Sequence, residues 1–276
     1  MDDQEANSGE NQHLLRYSRH LLLEELDIDG QARLGAARVL VVGVGGLGSP
    51  VALYLAAAGA GHITLIDDDT VDLTNLQRQI AHTTARVGQR KVDSAAAAMQ
   101  AINPDITVET VAERADADRL DRLIAAADLV VDCCDNFSTR HAINRACVIH
   151  RKPLVAGAAI RFDGQLSVYD LRNDQSPCYA CVFPLDAEVE ETQCSVLGVF
   201  APVVGTIGTL QAHEALKLLA GIGTSLAGRL LMFDGLATTF DHVKVARDPH
   251  CAVCADRKNP ALSLALAPGA APKNLY

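Results

Sequence analysis

Two Cys-x-x-Cys pairs, Cys178 with Cys181 and Cys251 with Cys254, are the residues of this chain best suited to hold a metal. Four thiolates in two knuckles suit a closed tetrahedral zinc site, which leaves no position for a substrate. The pairs lie far apart in sequence, so zinc is expected to clip a late loop to the C-terminal part of the chain. A redox Cys-x-x-Cys would need only one pair. Cys194 stands alone in EETQCSVLGVF. A loop cysteine of this kind can be a nucleophile, a persulfide carrier or a bystander. Cys133, Cys134 and Cys147 read as small core residues.

A second group of residues suits phosphate chemistry. Gly43, Gly45 and Gly48 form G-x-G-x-x-G between a Val-rich run and an Ala- and Leu-rich one. In a strand–turn–helix such glycines let the backbone approach a phosphate, which the helix N-terminus attracts. Asp67 ends the next apolar run, where an acid can accept hydrogen bonds from ribose hydroxyls. Together these point to a nucleotide; the alternative is a tight packing turn. No P-loop pattern is present in the sequence. Asn75 and Arg78 sit three apart in IDDDTVDLTNLQRQ and share a face on a helical turn. Arg78 and Lys91 can supply two cations to a polyphosphate, or can be solvated surface charges. Asp135 and Asn136 follow DLVVDCC, at the carboxyl edge where open α/β sheets bind ligands. A carboxylate there can hold magnesium between phosphates, or cap the next helix.

These residues need elements to position them. Periodicity predicts an amphipathic helix over His13–Leu26, with Leu14, Leu15, Leu21, Leu22 and Leu26 as its apolar face. Strands are expected at Arg38–Gly43, His62–Asp67, Ile106–Val111, Asp128–Asp132 and Pro153–Gly157. Helices are expected at Leu47–Ala58, Val92–Ile102, Ala117–Ala127 and Ser138–His150. This alternation indicates a parallel sheet covered on both faces. After Ala158, strands at Gln165–Tyr169, Arg229–Phe233 and Thr239–Val245 make the sheet mixed, with a helix at Val203–Ala220. Residues 171–200 show no clear period. The expected fold is therefore α/β and Rossmann-like: a mixed sheet with a parallel first half and an antiparallel continuation, an N-terminal helix and a zinc-clipped C-terminal part. One domain is expected over 13–258, with a nucleotide-binding half at about 35–157 and a second half, carrying the zinc, at about 158–258. Residues 1–12 are expected to be disordered and 259–276 to form a loosely ordered tail.

Composition narrows the function classes. The 276 residues are 49% apolar and 21% charged, as in a soluble globular protein. Aromatics are only 4%, so the core must rely on Ala, Val, Leu and Ile. Against 34 acidic residues there are 24 Lys and Arg, a net charge of −10, which argues against nucleic-acid binding. Val39–Gly61 carries no charge and is long enough to mimic a membrane span. Its order of Val, then Gly, then Ala and Leu reads instead as strand, turn and buried helix, so no membrane segment is expected. The start, MDDQEANSGENQ, lacks the basic and apolar regions of a signal peptide, which suggests a cytoplasmic protein with reduced thiols.

The run RYSRHLLLEELDIDGQARLGAARVLVVGVGGLGSPVALYLAAAGAGHITLIDDDTVDLTNLQRQ resembles the MoeB/ThiF/HesA family of ubiquitin-activating-like adenylyltransferases. The likeness continues through Lys91, DCCDN, GAAIRFDGQL, both cysteine pairs and GTIGTLQAHEALKLLAG, covering roughly residues 14 to 255. It is greatest to the molybdopterin-synthase branch, with the thiamine branch next. The resemblance implies ATP and magnesium at the glycine loop, and a small ubiquitin-fold sulfur carrier ending in Gly-Gly. That carrier is MoaD-like for molybdenum cofactor biosynthesis, or ThiS-like in the thiamine branch. Its terminal carboxylate would attack the α-phosphate, release pyrophosphate and later become a thiocarboxylate. By resemblance, Gly43, Gly45, Gly46, Gly48, Asp67, Asp69, Asn75, Arg78, Lys91, Asp135 and Asn136 surround the nucleotide. Asp67 would hold the ribose, Asn75, Arg78 and Lys91 the phosphates, and Asp135 the magnesium. Arg19 of RYSR would reach the ATP of a partner subunit, which implies a homodimer. Cys194 matches a loop cysteine of the relatives and joins the catalytic candidates, and the half after residue 158 would bind the carrier. Larger eukaryotic relatives carry a C-terminal rhodanese domain that this sequence lacks, so a separate sulfurtransferase is expected. Two rivals remain. An NAD-dependent oxidoreductase would leave Arg78, Lys91 and Asp135 without a task. A zinc-stabilised binding scaffold would have no turnover.

Overall fold

A computed structural model describes residues 14–185 and 197–256. Cys194 and the two chain ends expected to be loose lie outside the described residues. The first long helix, α1 (Asp27–Ala36), leads into β1 (Arg38–Val42), α2 (Gly48–Ala58), β2 (His62–Ile66), α3 (Lys91–Ile102), β3 (Thr107–Val111), α4 (Ala117–Ala126), β4 (Leu129–Asp132), α5 (Phe137–His150), β5 (Leu154–Ile160) and β6 (Asp163–Tyr169). After a helical turn at Tyr179–Val182 come α6 (Ala201–Ala220), β7 (Arg229–Asp234) and β8 (Thr239–Lys244).

The strands form one eight-stranded sheet, ordered β3-β2-β1-β4-β5-β6-β7-β8. Pairing is parallel from β3 through β5 and antiparallel from β5 through β8. Strands covered on both faces need apolar residues at every position rather than at alternate ones. β1 and β4 show this: Val39–Val42 and Leu129–Val131 are apolar and buried, and a buried Asp132 ends β4. Val39 and Val41 join Leu55, Val92, Met99 and Ile207 on the face covered by α2, α3 and α6. Leu40 and Val42 join Leu120, Ile124, Ile143 and Cys147 on the face covered by α4 and α5. From β1 the chain goes to β2 on one side, whereas β4 lies on the other. The carboxyl ends of β1 and β4 therefore mark the topological switch point, where such sheets bind ligands.

The N-terminal part departs from expectation. The helix predicted over His13–Leu26 is interrupted by a turn at Tyr17, after which only Ser18–Leu21 is helical. Leu14, Leu15 and Leu22 are exposed, and Leu26 alone of the predicted apolar face is buried. The interruption has a packing cause. Tyr17 lies against Gly59, where a Cβ would come within 2.4 Å of its hydroxyl, and Asn103 Nδ2 donates to that hydroxyl at 2.8 Å. Helix α1 was not anticipated, because Gly30 and Gly35 lower its intrinsic helix propensity. It forms because Leu26 and Leu34 pack with Ala220 at the end of α6. Among the described residues, no helix is long and apolar enough to cross a membrane.

Candidate functional site

The carboxyl ends of the central strands open into a cavity of about 970 Å3, within the size range of small-molecule sites. Gly43, Gly45 and Gly46 line it, and Gly48 starts α2 beneath the loop. Gly43 has φ of 87°, a conformation that favours glycine. The loop ends at the N-terminus of α2, where backbone amides and the helix dipole favour an anion.

Val44 is fixed from two sides. Its N–H donates to Asp67 Oδ2 at 2.7 Å, and Asp67 Oδ1 accepts from the Asp69 N–H at 2.9 Å. Burial pushes the Asp67 carboxyl above its ordinary pKa, opposed by Lys91 and these two amides. The Val44 carbonyl lies 3.0 Å from His82 Nε2, and His82 Nδ1 lies 3.0 Å from Ser94 Oγ. Burial lowers the His82 pKa and favours the neutral ring. Nε2 then donates to Val44, and Nδ1 accepts the serine hydroxyl.

The predicted cations reach the same cavity. Arg78 and Lys91 both line it. Lys91 Nζ pairs with Asp69 Oδ2 at 2.7 Å. Arg78 Nη2 donates to Asn75 Oδ1 at 3.0 Å, so the two residues do share one face of the turn. Asn75 supports Arg78 without lining the cavity itself. Asp67, Asp68 and Asp69 bring carboxylate oxygens within 4.8 Å of one another.

Asp135 and Asn136 line the opposite wall. The capping role considered for Asp135 belongs to Asn136, whose Oδ1 accepts the Thr139 N–H at 2.9 Å. Asp135 is exposed at the cavity instead.

Sequence reading missed several lining residues. Arg140 is buried one helical turn beyond Asn136, a spacing that could have revealed it. Its Nη2 donates to the carbonyls of Cys134 and Gly157, and its Nη1 lies 3.7 Å from Asp132 Oδ2. Burial is the largest single effect and opposes its charge, but Asp132, Cys134, Tyr179 and Cys133 together outweigh it and raise its pKa. Cys134, expected in the core, is half-buried and lines the cavity. Gln79 is buried beside the glycine loop, and its Oε1 has no hydrogen-bond partner among the described residues. Asp163, Asp234 and Asp241 line the far end. Strand register aligns them there, Asp163 opposite Asp234 and Asp241 opposite Met232. No local pattern signals such register.

Arg19 is not brought to this cavity. It is exposed on the Ser18–Leu21 turn, beside the Tyr17–Gly59 contact at the end of α2 remote from Gly48.

The four cysteines form a separate cluster. Sγ separations are 3.7 Å for Cys178–Cys251, 3.9 Å for Cys178–Cys181 and 3.5 Å for Cys181–Cys254. A tetrahedron with Zn–S bonds of about 2.3 Å has sulfur–sulfur edges of about 3.8 Å, so the donor set fits zinc. Asn144 Nδ2 and the Asp248 N–H donate to Cys178 and Cys181 sulfurs. Such outer contacts commonly orient metal ligands. None of the four lines the cavity. They join the segment after β8 to the core beside α5.

A sequence model of the ThiF family matches residues 17–253. A molybdopterin-synthase adenylyltransferase of Salmonella typhimurium is 48% identical over 244 residues, covering 88% of this chain and 97% of the relative. The adenylyltransferase and sulfurtransferase MOCS3 of Mus musculus is 47% identical over 87% of this chain, which spans 52% of that relative. Among solved structures, Escherichia coli MccB with ATP superposes with a TM-score of 0.73 at 25% identity, over 83% of this chain and 70% of that one.

Proposed function

The chain belongs to the ThiF family, and from that premise we propose that it uses ATP to adenylate the C-terminal glycine carboxylate of a MoaD-like ubiquitin-fold carrier. The reaction prepares thiocarboxylate formation for molybdenum cofactor biosynthesis. The observation that carries this reading is the convergence of Arg78, Lys91 and Asp135 on a single cavity beside the glycine loop. It is supported by a relative of nearly equal length named for this activity.

Asp67 holds the ribose, while the glycine loop, Arg78 and Lys91 hold the phosphates, with Asn75 orienting Arg78. The carrier carboxylate enters over the β6–β8 face and attacks the α-phosphorus. A carboxyl O–P bond forms, the bond to the bridging oxygen breaks, and pyrophosphate leaves with that electron pair. A carboxylate is a weak nucleophile, so positioning and charge neutralisation account for most of the rate. Lys91 and Arg78 offset the charge that builds on the leaving pyrophosphate. Asp135 would hold magnesium, which when bound would further neutralise the phosphates. Arg19 serves the cavity of the partner in a homodimer, and Cys194 takes no part in adenylation. Zinc at the four cysteines is structural. A separate sulfurtransferase supplies the sulfur, in the reducing cytoplasm.

Carrier-dependent ATP–pyrophosphate exchange tests the reading, using MoaD-like and ThiS-like proteins, intact and lacking the final Gly. Exchange with the intact MoaD-like carrier, lost on truncation, is the expected result. Exchange with the ThiS-like carrier alone would move the chain to the thiamine branch. No exchange with either folded carrier would overturn adenylation.

A further inference from the structure

We propose that Arg140 is a positioning residue: it locks the turn at Cys134–Asn136 and so presents the Asp135 carboxylate to a divalent cation. This deepens the adenylation reading and rests on its assignment of Asp135. Arginine is an expensive residue to bury at this place. A guanidinium buried to 7% residue exposure carries a large desolvation cost, which its contacts must offset. Those contacts are specific. Nη2 reaches the Cys134 and Gly157 carbonyls together, joining the turn after β4 to β5. Nη1 faces Asp132, which is fully buried at the end of β4.

Asp132 holds the same turn from its other side. Its Oδ1 accepts the Cys134 N–H at 3.0 Å and the Cys134 thiol at 2.7 Å. Cys134 is thus gripped at its N–H by Asp132 and at its carbonyl by Arg140. The residue beyond Asp135 is also fixed, because Asn136 caps α5 and its carbonyl accepts the Arg140 N–H at 3.3 Å. Asp135 therefore projects from a turn anchored on both flanks. A cation ligand needs such support, since losing an outer-shell partner commonly lowers metal affinity about 10- to 100-fold. Lysine cannot replace arginine here, because a single ammonium lacks the planar fork that spans two carbonyls and a carboxylate.

The competing explanation is that Arg140 only neutralises buried Asp132. Three variants of the full chain separate the two: Arg140→Lys, the charge-free pair Asp132→Asn/Arg140→Met, and Asp135→Asn. ATP binding is measured by calorimetry in EDTA and at increasing magnesium, with thermal unfolding as the check on folding. The expected result is that Arg140→Lys and the double variant bind ATP in EDTA within twofold of the parent. Both should lose at least about tenfold of the magnesium-dependent tightening, as Asp135→Asn does. Parental magnesium dependence in the double variant would mean that Arg140 merely balances Asp132, and would overturn the proposal. Equal losses with and without magnesium would overturn it too, by showing a general role in shaping the cavity. Unaltered magnesium dependence in Asp135→Asn would remove the carboxylate assignment and the proposal with it. The binding measurement needs no carrier, so a failed exchange assay counts against the adenylation reading alone.

Discussion

The Lys91 ammonium lies 2.7 Å from Asp69 Oδ2, and the pair is lopsided: the lysine side chain is 6% exposed and the aspartate 68%. A buried cation is thus held by a carboxylate that water can reach. A phosphate entering the cavity can take over the ammonium while solvent compensates Asp69. Lys91→Ala and Arg78→Ala should each lower carrier-dependent pyrophosphate exchange by about 10²-fold or more, the usual loss when a transition-state charge contact is removed. The carrier KM should change little. Near-parental rates in both variants would show that the phosphates lie elsewhere.

The glycine loop predicts a graded series. A Cβ at Gly48 would sit 2.0 Å from the Gly43 carbonyl oxygen, a backbone atom that no rotamer change can move away. At Gly46 the nearest atom is a Val204 methyl at 3.3 Å, and at Gly35 no atom of the described residues lies within 4 Å. Gly48→Ala should cost at least the ~1–3 kcal/mol typical of overpacking and abolish ATP binding. Gly46→Ala should be mild, and Gly35→Ala in α1 neutral or stabilising, since alanine favours helix by up to ~1 kcal/mol. Urea unfolding with ATP titration orders the three, and a tolerated Gly48→Ala would contradict the loop geometry.

How much of this was legible in the sequence depends on how local each signal was. The order of β1, α2 and β2 could be read because Val39–Val42, the glycines and Asp67 follow one another within a single βαβ unit. Asn75 and Arg78 could be paired because three residues of a helical turn bring them together. Tyr17 could not be read as a helix breaker, since the reason lies in its contact with Gly59 and Asn103. Asp163, Asp234 and Asp241 escaped for a similar reason: they meet only through the register of three antiparallel strands. The two Cys-x-x-Cys pairs were the exception, a long-range contact advertised by ligand chemistry alone.

The contact from His82 to Val44 makes loop stability depend on pH. Burial depresses the His82 pKa in the folded chain, with the Val44 bond opposing and the Lys91 charge assisting. The unfolded chain, with its histidine near pKa 6.5, takes up a proton first as pH falls. Stability from the neutral ring is therefore present above about pH 6.5 and lost below it. Unfolding free energy should drop between about pH 7.5 and 5.5 and drop less in His82→Gln. His141, also depressed by burial, keeps some slope in that variant. An unchanged slope in His82→Gln would assign the effect to His141 and other groups.

Zinc at the cysteine cluster should act on folding, because the cluster ties the segment after β8 to the core beside α5. Cys178→Ser should lower the zinc content and the Tm together, and chelation of the parent should do the same. Activity in the exchange assay should fall only in step with the folded fraction. A stable, metal-free and fully active Cys178→Ser protein would refute a structural metal.

Arg19 provides the test of a shared site. It is exposed and lies near Gly59, at the end of α2 opposite the glycine loop. If it completes the cavity of a partner, Arg19→Ala and Asp135→Ala damage different halves of each site. Separately, the two homodimers should be nearly inactive. Mixed and allowed to exchange subunits, half of all dimers become hybrids. Each hybrid has one cavity with its own Asp135 and the partner's intact Arg19. About a quarter of the parental exchange rate should then return, as expected for a twofold-symmetric dimer. Proven subunit exchange without recovered activity would place Arg19 outside the reaction, and full activity of Arg19→Ala alone would do so more simply.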